Sequence, residues 1–532
     1  MQSNTHPNSP DTADPALDRG VELQAAGRHG EALMIFEERI RAEPANLRAH
    51  FLAGTSNLQL RRWERAAAHS RVAAAGDPRY GAAWSNLALG LAEMGRISEA
   101  RFAARRAVTT DPQYARGWIA MSLVEQNARS WEAARSSVLR AIALDPKLGS
   151  AYVALANLEQ LQGHAEAALR GYEKAMALDP TNAAAPYSRA HVYHNLLGNM
   201  DAAIAGYREA IALRSDYTLA HHNLAHTLFL TGQFAEAWAE YRWRPPRLEF
   251  EARCAEMGEP SYAPEEIPLA ASRLLVLSEQ GLGDVIFFLR FAPIFRQRGV
   301  VLDFVGDARL EGMLSRTGLF DRFRANTEAL SPEGRPMVLA ADLPLLLAPD
   351  ERNVTPPPLA LTPEPSRVER TRAVLAAFGP PPYFGLAWRA GQPKSGPTET
   401  LLKQVPLDGL GRALRGIGGT WISIQREPRA GETEALASCL GAPVHDLSAW
   451  NEDLEDLLAL LSVLDSYVGV SSTSVHLRAA CGGAADVLVP FPYEWRWMCQ
   501  GDSPWFPGIR VCRQAVDGSW DEAFTRLRSR AS

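Results

Sequence analysis

The chain has 532 residues, of which 46% are hydrophobic and 22% charged, and its formal net charge is −6. This length exceeds what one hydrophobic core serves, so we expect at least two domains with the composition of a soluble globular protein. The acidic balance argues against a nucleic-acid surface. The five cysteines show no CxxC spacing, which argues against a zinc site or a disulfide framework.

The N-terminal residues carry no recognisable targeting signal. MQSNTHPNSPDTADP lacks a basic start followed by an apolar stretch, so we predict no signal peptide and a disordered leader over residues 1–12. The most apolar run, near Val338–Ala348, is too short to span a bilayer and contains Asp342. We therefore expect a cytoplasmic protein.

Residues 13–242 repeat with a fixed period. Prolines recur 34 residues apart, and alanines follow the same register: Pro44, Pro78, Pro112, Pro146, Pro180 and Ala32, Ala66, Ala100, Ala134, Ala168. This period is typical of tetratricopeptide repeats (TPRs), in which each unit is a helix–turn–helix. The register slips near Leu196–Gly198, and the signature predicts about six repeats. Such a solenoid is a binding scaffold and predicts no chemistry of its own.

Polar side chains on the predicted inner face of the repeats suit recognition of a peptide or helix in a concave groove. The predicted groove residues are Asn127, Asn157, Asn195, His222 and His226. His222 and His226 lie one helical turn apart, so a metal site is the alternative. No carboxylate or cysteine completes a ligand set at familiar spacing, and we predict a polar groove without metal.

After Tyr241 the helical register ends, and residues 243–272 are predicted to be a linker rich in proline and glutamate. Short apolar runs then alternate with helical stretches over residues 273–354. A second proline-rich break opens a linker over residues 355–382, and the alternation resumes over residues 383–532. This alternation predicts parallel sheets in two Rossmann-like halves, with a ligand crevice at the carboxyl ends of their strands.

The turn Gly281-Leu282-Gly283-Asp284 follows the first predicted strand of this region and opens a helix. Glycines let backbone N–H groups approach a ligand, and Asp284 is a candidate general base for an incoming hydroxyl. The alternative is that Asp284 caps the helix, which the spacing alone favours. The turn is not a full GxGxxG, so a nicotinamide site is not predicted.

Three further segments contain candidate ligand-binding residues. The hydroxyl-rich run from Ser471 to His476 precedes a predicted helix and fits a phosphate or sugar, with a plain N-cap as the equal alternative. Lys394 and Lys403, after GLAWR, are candidates to neutralise a diphosphate. The loop PYEWRWMCQGDSPWFPG carries the acidic Glu494 and Asp502 among aromatic residues. Its length favours function, but tryptophans at such spacing more often belong to a core than contact a ligand.

These motifs resemble those of bacterial proteins that join TPRs to a heptosyltransferase-like GT-B glycosyltransferase domain. The matching segments follow the family order: LLVLSEQGLGDVIFFLRFAP, GLAWRAGQP, KQVPL, WISIQ, VGVSSTSVHLRAACG and WRWMCQGDSPWFPGIRVCRQ. The VSSTSVHL segment and the PFPYEWRWM–DSPWFPG loop look like those of flagellin glycosyltransferases. The resemblance implies an α-helical TPR solenoid followed by a GT-B fold.

The resemblance also implies roles for individual residues. Asp284 matches a proposed general base, and Lys403 matches a position proposed to hold the donor's phosphate. The remaining predicted donor-binding residues are Gly281, Gly283, Ser472, Thr473, Ser474 and His476. Many relatives have Asp where this chain has Ser471, so a role that needs that carboxylate is in question here.

The activity implied is metal-independent, inverting transfer of a sugar from a nucleotide sugar to Ser/Thr hydroxyls of a protein acceptor held by the repeats. Helix N-termini and Lys403 would offset the leaving-group charge, and no cofactor is required. The resemblance implies flagellin as the acceptor; a nonulosonic acid is one sugar that fits, and CMP-linked nonulosonic acids, UDP-hexosamines and ADP- or GDP-sugars all fit the same donor site. The alternatives are an O-GlcNAc-type transferase with broad protein substrates and a non-catalytic TPR adaptor with a decayed GT-B domain.

Overall fold

The computed structural model describes residues 14–260, 267, 273–326, 335–391 and 403–529. The predicted leader over residues 1–12 and Lys394 lie outside these residues. The chain forms two compact units, one ending at Val192 and the other beginning at Tyr193. Helical TPR-like repeats occupy the N-terminal part of the sequence, and an α/β region with parallel sheets follows.

The repeats comprise seven helix pairs among the described residues, so the sequence-based count of six is one too low. Their helices are α1 (Pro15–Ala25), α2 (His29–Ala42), α3 (Leu47–Gln59), α4 (Trp63–Gly76), α5 (Gly81–Glu93), α6 (Ile97–Thr110), α7 (Ala115–Asn127), α8 (Trp131–Leu144), α9 (Gly149–Leu161), α10 (Ala165–Leu178), α11 (Ala184–Asn195), α12 (Met200–Leu213), α13 (Thr218–Leu230) and α14 (Phe234–Tyr241). The sixth pair, α11 and α12, spans the register slip and lacks the marker proline. Five marker prolines thus accompany seven described pairs, so the proline spacing alone does not give the number of pairs.

The 34-residue period has a structural cause in the first helix of most pairs. The fourth residue of that helix hydrogen-bonds the carbonyl six residues earlier, and so fixes the turn between units. The pairs are His50 with Pro44, Trp84 with Pro78, Trp118 with Pro112, Tyr152 with Pro146 and His221 with Ser215, at 2.9–3.2 Å. The repeating alanines are fully buried between paired helices, where a larger side chain would push the helices apart.

Charged pairs repeat with the same period in the first unit. Arg101 of α6 pairs with the buried Glu125 of α7, with their atoms 2.5 Å apart. Arg135 and Glu159, each 34 residues further on, form the same pair between α8 and α9. Each buried carboxylate thus meets a guanidinium from the preceding pair of helices, which offsets the cost of its burial.

The segment predicted as the first linker contains a helix, α15 (Pro245–Met257), which ends at Gly258 with φ of 71°. The first sheet follows and is entirely parallel, in the order β3-β2-β1-β4. Its elements are β1 (Arg273–Leu277), α16 (Leu282–Phe288), α17 (Ala292–Gln297), β2 (Val301–Gly306), α18 (Glu311–Ser315), β3 (Arg322–Ala325) and β4 (Met337–Leu339).

The second sheet has six parallel strands in the order β12-β11-β10-β5-β8-β9. The elements of this region are α19 (Pro365–Phe378), β5 (Tyr383–Ala387), β6 (Arg389–Ala390), β7 (Lys403–Gln404), α20 (Leu407–Leu414), β8 (Thr420–Ser423), α21 (Glu432–Leu440), β9 (Val444–Asp446), α22 (Leu454–Val463), β10 (Ser466–Val470), α23 (Thr473–Ala480), β11 (Ala485–Val489), β12 (Ile509–Arg513) and α24 (Asp521–Arg528). The strand order reverses between β5 and β10. In open α/β sheets, the carboxyl ends of the strands at such a switch point flank the ligand crevice.

Candidate functional site

Four charged side chains of the second unit form a continuous chain of ion pairs beside this switch point. They come from the turn after β1 (Asp284), from β7 (Lys403) and from the loop after β11 (Glu494 and Arg496). Negative and positive charges alternate along the chain. It therefore joins Asp284, the predicted base, to Lys403, the predicted phosphate ligand.

Asp284 uses both carboxylate oxygens. Its Oδ2 accepts a hydrogen bond of 3.1 Å from the backbone N–H of Gly281, the residue that caps α16. Its Oδ1 lies 2.5 Å from Nη2 of Arg496. The first contact is one half of a capping box, so Asp284 supports its helix. The side chain is nevertheless 28% exposed, which leaves the carboxylate within reach of a ligand.

Arg496 lies between the two carboxylates of the chain. One guanidinium nitrogen contacts Asp284, and the other lies 2.8 Å from Oε1 of Glu494. The guanidinium also stacks against Trp495 and Phe287, at 4.5 and 4.9 Å from their ring centroids. Burial lowers the pKa of Arg496, but the two carboxylates outweigh burial and raise it. The Arg496 guanidinium therefore stays cationic, and it is held in place by two carboxylates and two aromatic rings.

Glu494 shares its second oxygen between two donors. Oε2 lies 2.5 Å from Nζ of Lys403 and accepts a hydrogen bond of 2.8 Å from the Ser471 hydroxyl. Burial raises the pKa of Glu494, but Lys403 and Arg496 outweigh it and hold the pKa well below its usual range. A carboxylate is thus present beside Ser471, although position 471 itself has none.

The run after β10 places its hydroxyls at the start of α23. Ser472 precedes the helix in an extended conformation, and its hydroxyl makes no capping hydrogen bond to the helix. Thr473 is half-buried and Ser474 is buried. Ser472 thus occupies the N-cap position without the capping hydrogen bond, and the donor-binding role of these hydroxyls stays a prediction.

Gly283 and His476 pack against each other. A Cβ at position 283 would lie 2.9 Å from Cδ2 of the His476 ring, so glycine is needed for the close approach of α16 and α23. His476 is buried, with its ring edge-on to Phe506 at 5.3 Å. Burial, reinforced by Arg496, lowers its pKa well below the usual value. Both residues have a packing role here, and their donor-binding role stays a prediction.

The last helix pair of the repeats packs directly on the loop after β11, within the same unit. Phe229 of α13 stacks on Trp495 at 4.3 Å, and Trp238 of α14 meets both Trp495 and Trp505 at 6.0 Å. The backbone N–H of Cys499 donates to the carbonyl of Leu230. This pair of helices is consequently part of the α/β region's core.

The predicted groove residues divide between the two units. His222 and His226 lie on α13, half-buried, with ring centroids 4.3 Å apart. Burial lowers the pKa of His222 to about 4 and that of His226 well below its usual value. Asn195, at the end of α11, belongs to this unit as well.

The other two groove residues lie in the first unit. Asn127 is exposed at the end of α7, and Asn157 of α9 accepts a hydrogen bond of 2.6 Å from the Tyr172 hydroxyl. The amide group of Asn157 is therefore partly committed to the fold. The structure leaves the acceptor-binding role of these asparagines a prediction.

Arg496 and Arg290 are site residues that sequence reasoning missed. Arg290 is buried and donates to three carbonyl oxygens, those of Phe287, Pro356 and Trp505. Burial, together with Arg496, lowers its pKa to about 9. Arg290 thus ties the first sheet's helical segment to the second linker and to the aromatic loop. The WRW motif was the available signal for Arg496, but the aromatic residues suggested only a core.

A cluster of four charged side chains lies at the carboxyl ends of β1 and β4. Arg244, which precedes α15, contacts Glu279 after β1 at 2.9 Å and Asp342 after β4 at 2.7 Å. Arg247 contacts the other oxygen of Asp342 at 2.6 Å. All four groups are buried. Burial raises the pKa of Asp342, but the two arginines outweigh it and lower the pKa overall.

Over the described ranges, no group of three or more His, Cys, Asp or Glu is arranged to hold a metal ion. No helix in that part of the chain combines the length and the apolar character needed to cross a membrane.

No protein-family model matches the chain. A curated relative, Protein FlbA of Caulobacter vibrioides, is 24% identical over 327 residues, which cover 57% of this chain and 53% of FlbA. The chain thus spans about half the length of that relative. Among solved structures, a thermophilic TPR protein of Thermus thermophilus is 25% identical, with a TM-score of 0.32, over 34% of this chain and 97% of that one. YrrB, a TPR protein with an unusual peptide-binding site, is 19% identical, with a TM-score of 0.24, over 35% of this chain and 96% of its own.

Proposed function

We propose that this protein is a GT-B glycosyltransferase that moves a sugar from a nucleotide-sugar donor to Ser/Thr hydroxyls of a protein acceptor. The observation that carries the proposal is the ion-pair chain from Asp284 to Lys403 beside the β5/β10 switch point. It links a candidate base at the start of α16, the helix after β1, to a candidate phosphate ligand in the antiparallel β6–β7 pair that follows β5. The resemblance of the motifs to TPR glycosyltransferases supports the same assignment.

The donor's diphosphate would lie at the second sheet. Lys403 pairs with Ala390 in the short hairpin that follows β5, and α23 begins directly after β10. The ammonium group and the N-terminus of α23 both favour a negative ligand. Lys403 is at present paired with Glu494, so an incoming phosphate has to compete with that carboxylate.

The acceptor hydroxyl would lose its proton to Asp284. A hydroxyl is a poor nucleophile at neutral pH, and a general base contributes about 10²–10⁴ in rate. Arg496 holds one carboxylate oxygen and the Gly281 N–H holds the other. Each oxygen has a further lone pair, so proton transfer does not require breaking both contacts.

The repeats would capture the protein acceptor through the polar groove predicted at Asn127, Asn157, Asn195, His222 and His226. The last helix pair is part of the α/β unit, so His222 and His226 lie in the same unit as the candidate base and phosphate ligand. The motif resemblance supports flagellin as the acceptor, and a nonulosonic acid is one of the sugars that the donor site could take.

The test is donor binding followed by transfer. Stabilisation by nucleotide sugars identifies the donor, because a ligand that binds only the folded state raises the melting temperature. Transfer to flagellin is then measured by intact mass. Asp284→Asn should reduce transfer at least about a hundredfold, and Lys403→Ala should weaken donor binding by about 1–3 kcal/mol.

Matched controls are Asp408→Asn, which alters an exposed Asp–Arg pair on α20, and Lys174→Ala, which removes an exposed lysine on α10. Both should leave transfer and donor binding unchanged. Wild-type protein that binds the acceptor but turns over no nucleotide sugar would indicate the adaptor instead. Use of UDP-GlcNAc on many unrelated proteins would indicate the O-GlcNAc-type alternative. Transfer by Asp284→Asn within a few-fold of wild type would remove Asp284 from the mechanism.

A further inference from the structure

Glu494 occupies the centre of the ion-pair chain. Its two oxygens serve different partners: Oε2 meets Lys403 at 2.5 Å, and Oε1 meets Arg496 at 2.8 Å. Arg496 in turn meets Asp284 at 2.5 Å. One carboxylate therefore contacts both the cation on the donor side and the cation that contacts the candidate base.

The charge balance of the chain depends on Glu494. Lys403 and Arg496 contribute two positive charges, while Asp284 and Glu494 contribute two negative ones. Removing the charge of Glu494 leaves a net positive charge beside the start of α23. It also frees the ammonium group of Lys403 from its carboxylate partner, with the Ser471 carbonyl oxygen at 3.3 Å remaining as an acceptor.

We propose that Glu494 is a positioning residue that holds Lys403 for the donor's diphosphate and holds Arg496 against Asp284. This inference rests on the proposed function. Donor phosphate and Glu494 compete for the same ammonium group, so Glu494 weakens ground-state binding of the diphosphate. Glu494 also holds both cations in the geometry that transfer needs, and so it stabilises the transition state more than the bound ground state.

The first experiment compares the binding of inorganic pyrophosphate to full-length wild type and to Glu494→Gln by calorimetry. The glutamine keeps the size of the side chain but removes the competing charge. We expect pyrophosphate to bind about tenfold more tightly to the variant, the size expected when one nearby charge is removed at a partly exposed site. Equal or weaker binding by the variant overturns the competition.

The second experiment measures transfer. Glu494→Gln should lower kcat at least about tenfold, because the two cations lose the alignment that the transition state needs. KM for the donor should fall or stay level, because the carboxylate no longer competes with the donor's phosphate for Lys403. Damage to the fold alone would raise KM or lower the amount of active enzyme. Unchanged kcat overturns the positioning role.

Two further variants test separately the negative charge beside Lys403 and the ability of one carboxylate to contact both Lys403 and Arg496. Glu494→Asp keeps the charge but is one methylene shorter, so it cannot reach both cations; kcat should fall without a gain in pyrophosphate affinity. Ser471→Asp combined with Glu494→Gln restores a carboxylate beside Lys403 alone. That double variant should return pyrophosphate affinity to the wild-type value while kcat stays low. Full kcat in either variant contradicts the proposal.

The matched control is Glu434→Gln, which removes the charge of an exposed glutamate on α21 and should change neither measurement. Pyrophosphate binding needs no turnover, so it separates two kinds of failure. If wild type transfers no sugar from any donor, the proposed function fails, and the pyrophosphate comparison still decides whether Glu494 competes for Lys403.

Discussion

Arg244 shows how a single residue can determine the stability of a segment that looks like a linker. Its guanidinium is fully buried and contacts Glu279 and Asp342. Its partners lie 35 and 98 residues further along the chain. A buried charge without its partners is strongly unfavourable, so the four-charge cluster holds the start of α15 against the first sheet.

We expect Arg244→Met to lower the free energy of unfolding by about 3–5 kcal/mol, the usual cost of removing one partner from a buried ion pair. Urea denaturation of the full chain measures this change. Arg412→Met is the control, because the Arg412–Asp408 pair is exposed and should contribute less than about 1 kcal/mol. A loss below about 1 kcal/mol for Arg244→Met would show that the cluster does not hold this segment.

Sequence reasoning could not find this cluster. The stretch from residue 243 to 272 is rich in proline and glutamate, and that composition is typical of a linker. Two of its prolines, Pro245 and Pro246, are in fact the first residues of α15, where proline fits a helix. The partners of Arg244 come from two different strand ends, and no local spacing in the sequence relates them.

At the scale of elements, the contact between α13–α14 and the aromatic loop after β11 decides where the α/β core begins. Trp238 is fully buried, and its ring meets Phe229, Trp495 and Trp505 edge-on. Such aromatic packing combines a large buried area with favourable ring geometry. The last repeat is therefore a structural component of the region that carries the candidate site.

We expect Trp238→Ala to destabilise the second unit by about 3–5 kcal/mol, the range for truncating a buried aromatic residue. Phe102→Ala on α6 is the control, because the Phe102 side chain is 62% exposed and its removal leaves no buried cavity. Melting temperatures of the two full-length variants give the comparison. Equal melting temperatures would mean that the last repeat does not contribute to that core.

The alternation of apolar runs and helical stretches predicted the central strands of both sheets, because buried parallel strands read as apolar runs. This signal is weak in β3 and β12, two of the edge strands, whose sequences RFRA and IRVCR carry two arginines each. An edge strand has one partner and more contact with water, so charged residues are tolerated and the apolar signal weakens.

At the scale of the whole molecule, the candidate site joins positions that are distant in sequence. Asp284 and Lys403 were predicted individually from the turn and from the motif resemblance. Their connection through Glu494 and Arg496 was not predicted, because ion pairing across 91 and 212 residues leaves no spacing signal. Local motifs thus locate candidate groups, and only the fold shows which of them share a charge partner.

The second unit also contains half-buried and buried imidazoles whose lowered pKa values couple its stability to pH. The pKa of His222 is lowered to about 4, and those of His226 and His476 lie well below 6.5, chiefly through burial. His226 is also influenced by His222, His194 and Arg496, which lower its pKa, and by Glu494, which raises it. In the unfolded chain each histidine takes up a proton near pH 6.5.

We therefore expect the second unit to lose stability as the pH falls from about 6.5 towards 4, because these histidines bind more protons in the unfolded state than in the folded state. Each histidine contributes up to about 1.4 kcal/mol per pH unit within that window. The pKa of Glu494 is also lowered in the folded state. Glu494 therefore reduces the free energy of unfolding only as the pH falls below 4.5, its pKa in the unfolded chain. Urea denaturation at closely spaced pH values measures the slope.

His226→Gln should make this slope shallower by about one proton, because one of the groups that titrates only on unfolding is gone. His221→Gln, on the same helix, is the matched control. Burial lowers the pKa of His221, but Glu240 and the Ser215 carbonyl outweigh burial and raise it. The stability that His221 contributes is thus complete below about pH 6.5 and is lost only as the pH rises through its folded pKa. The His221 variant should keep the wild-type slope on the acid side, and an unchanged slope in His226→Gln would contradict the lowered pKa of His226.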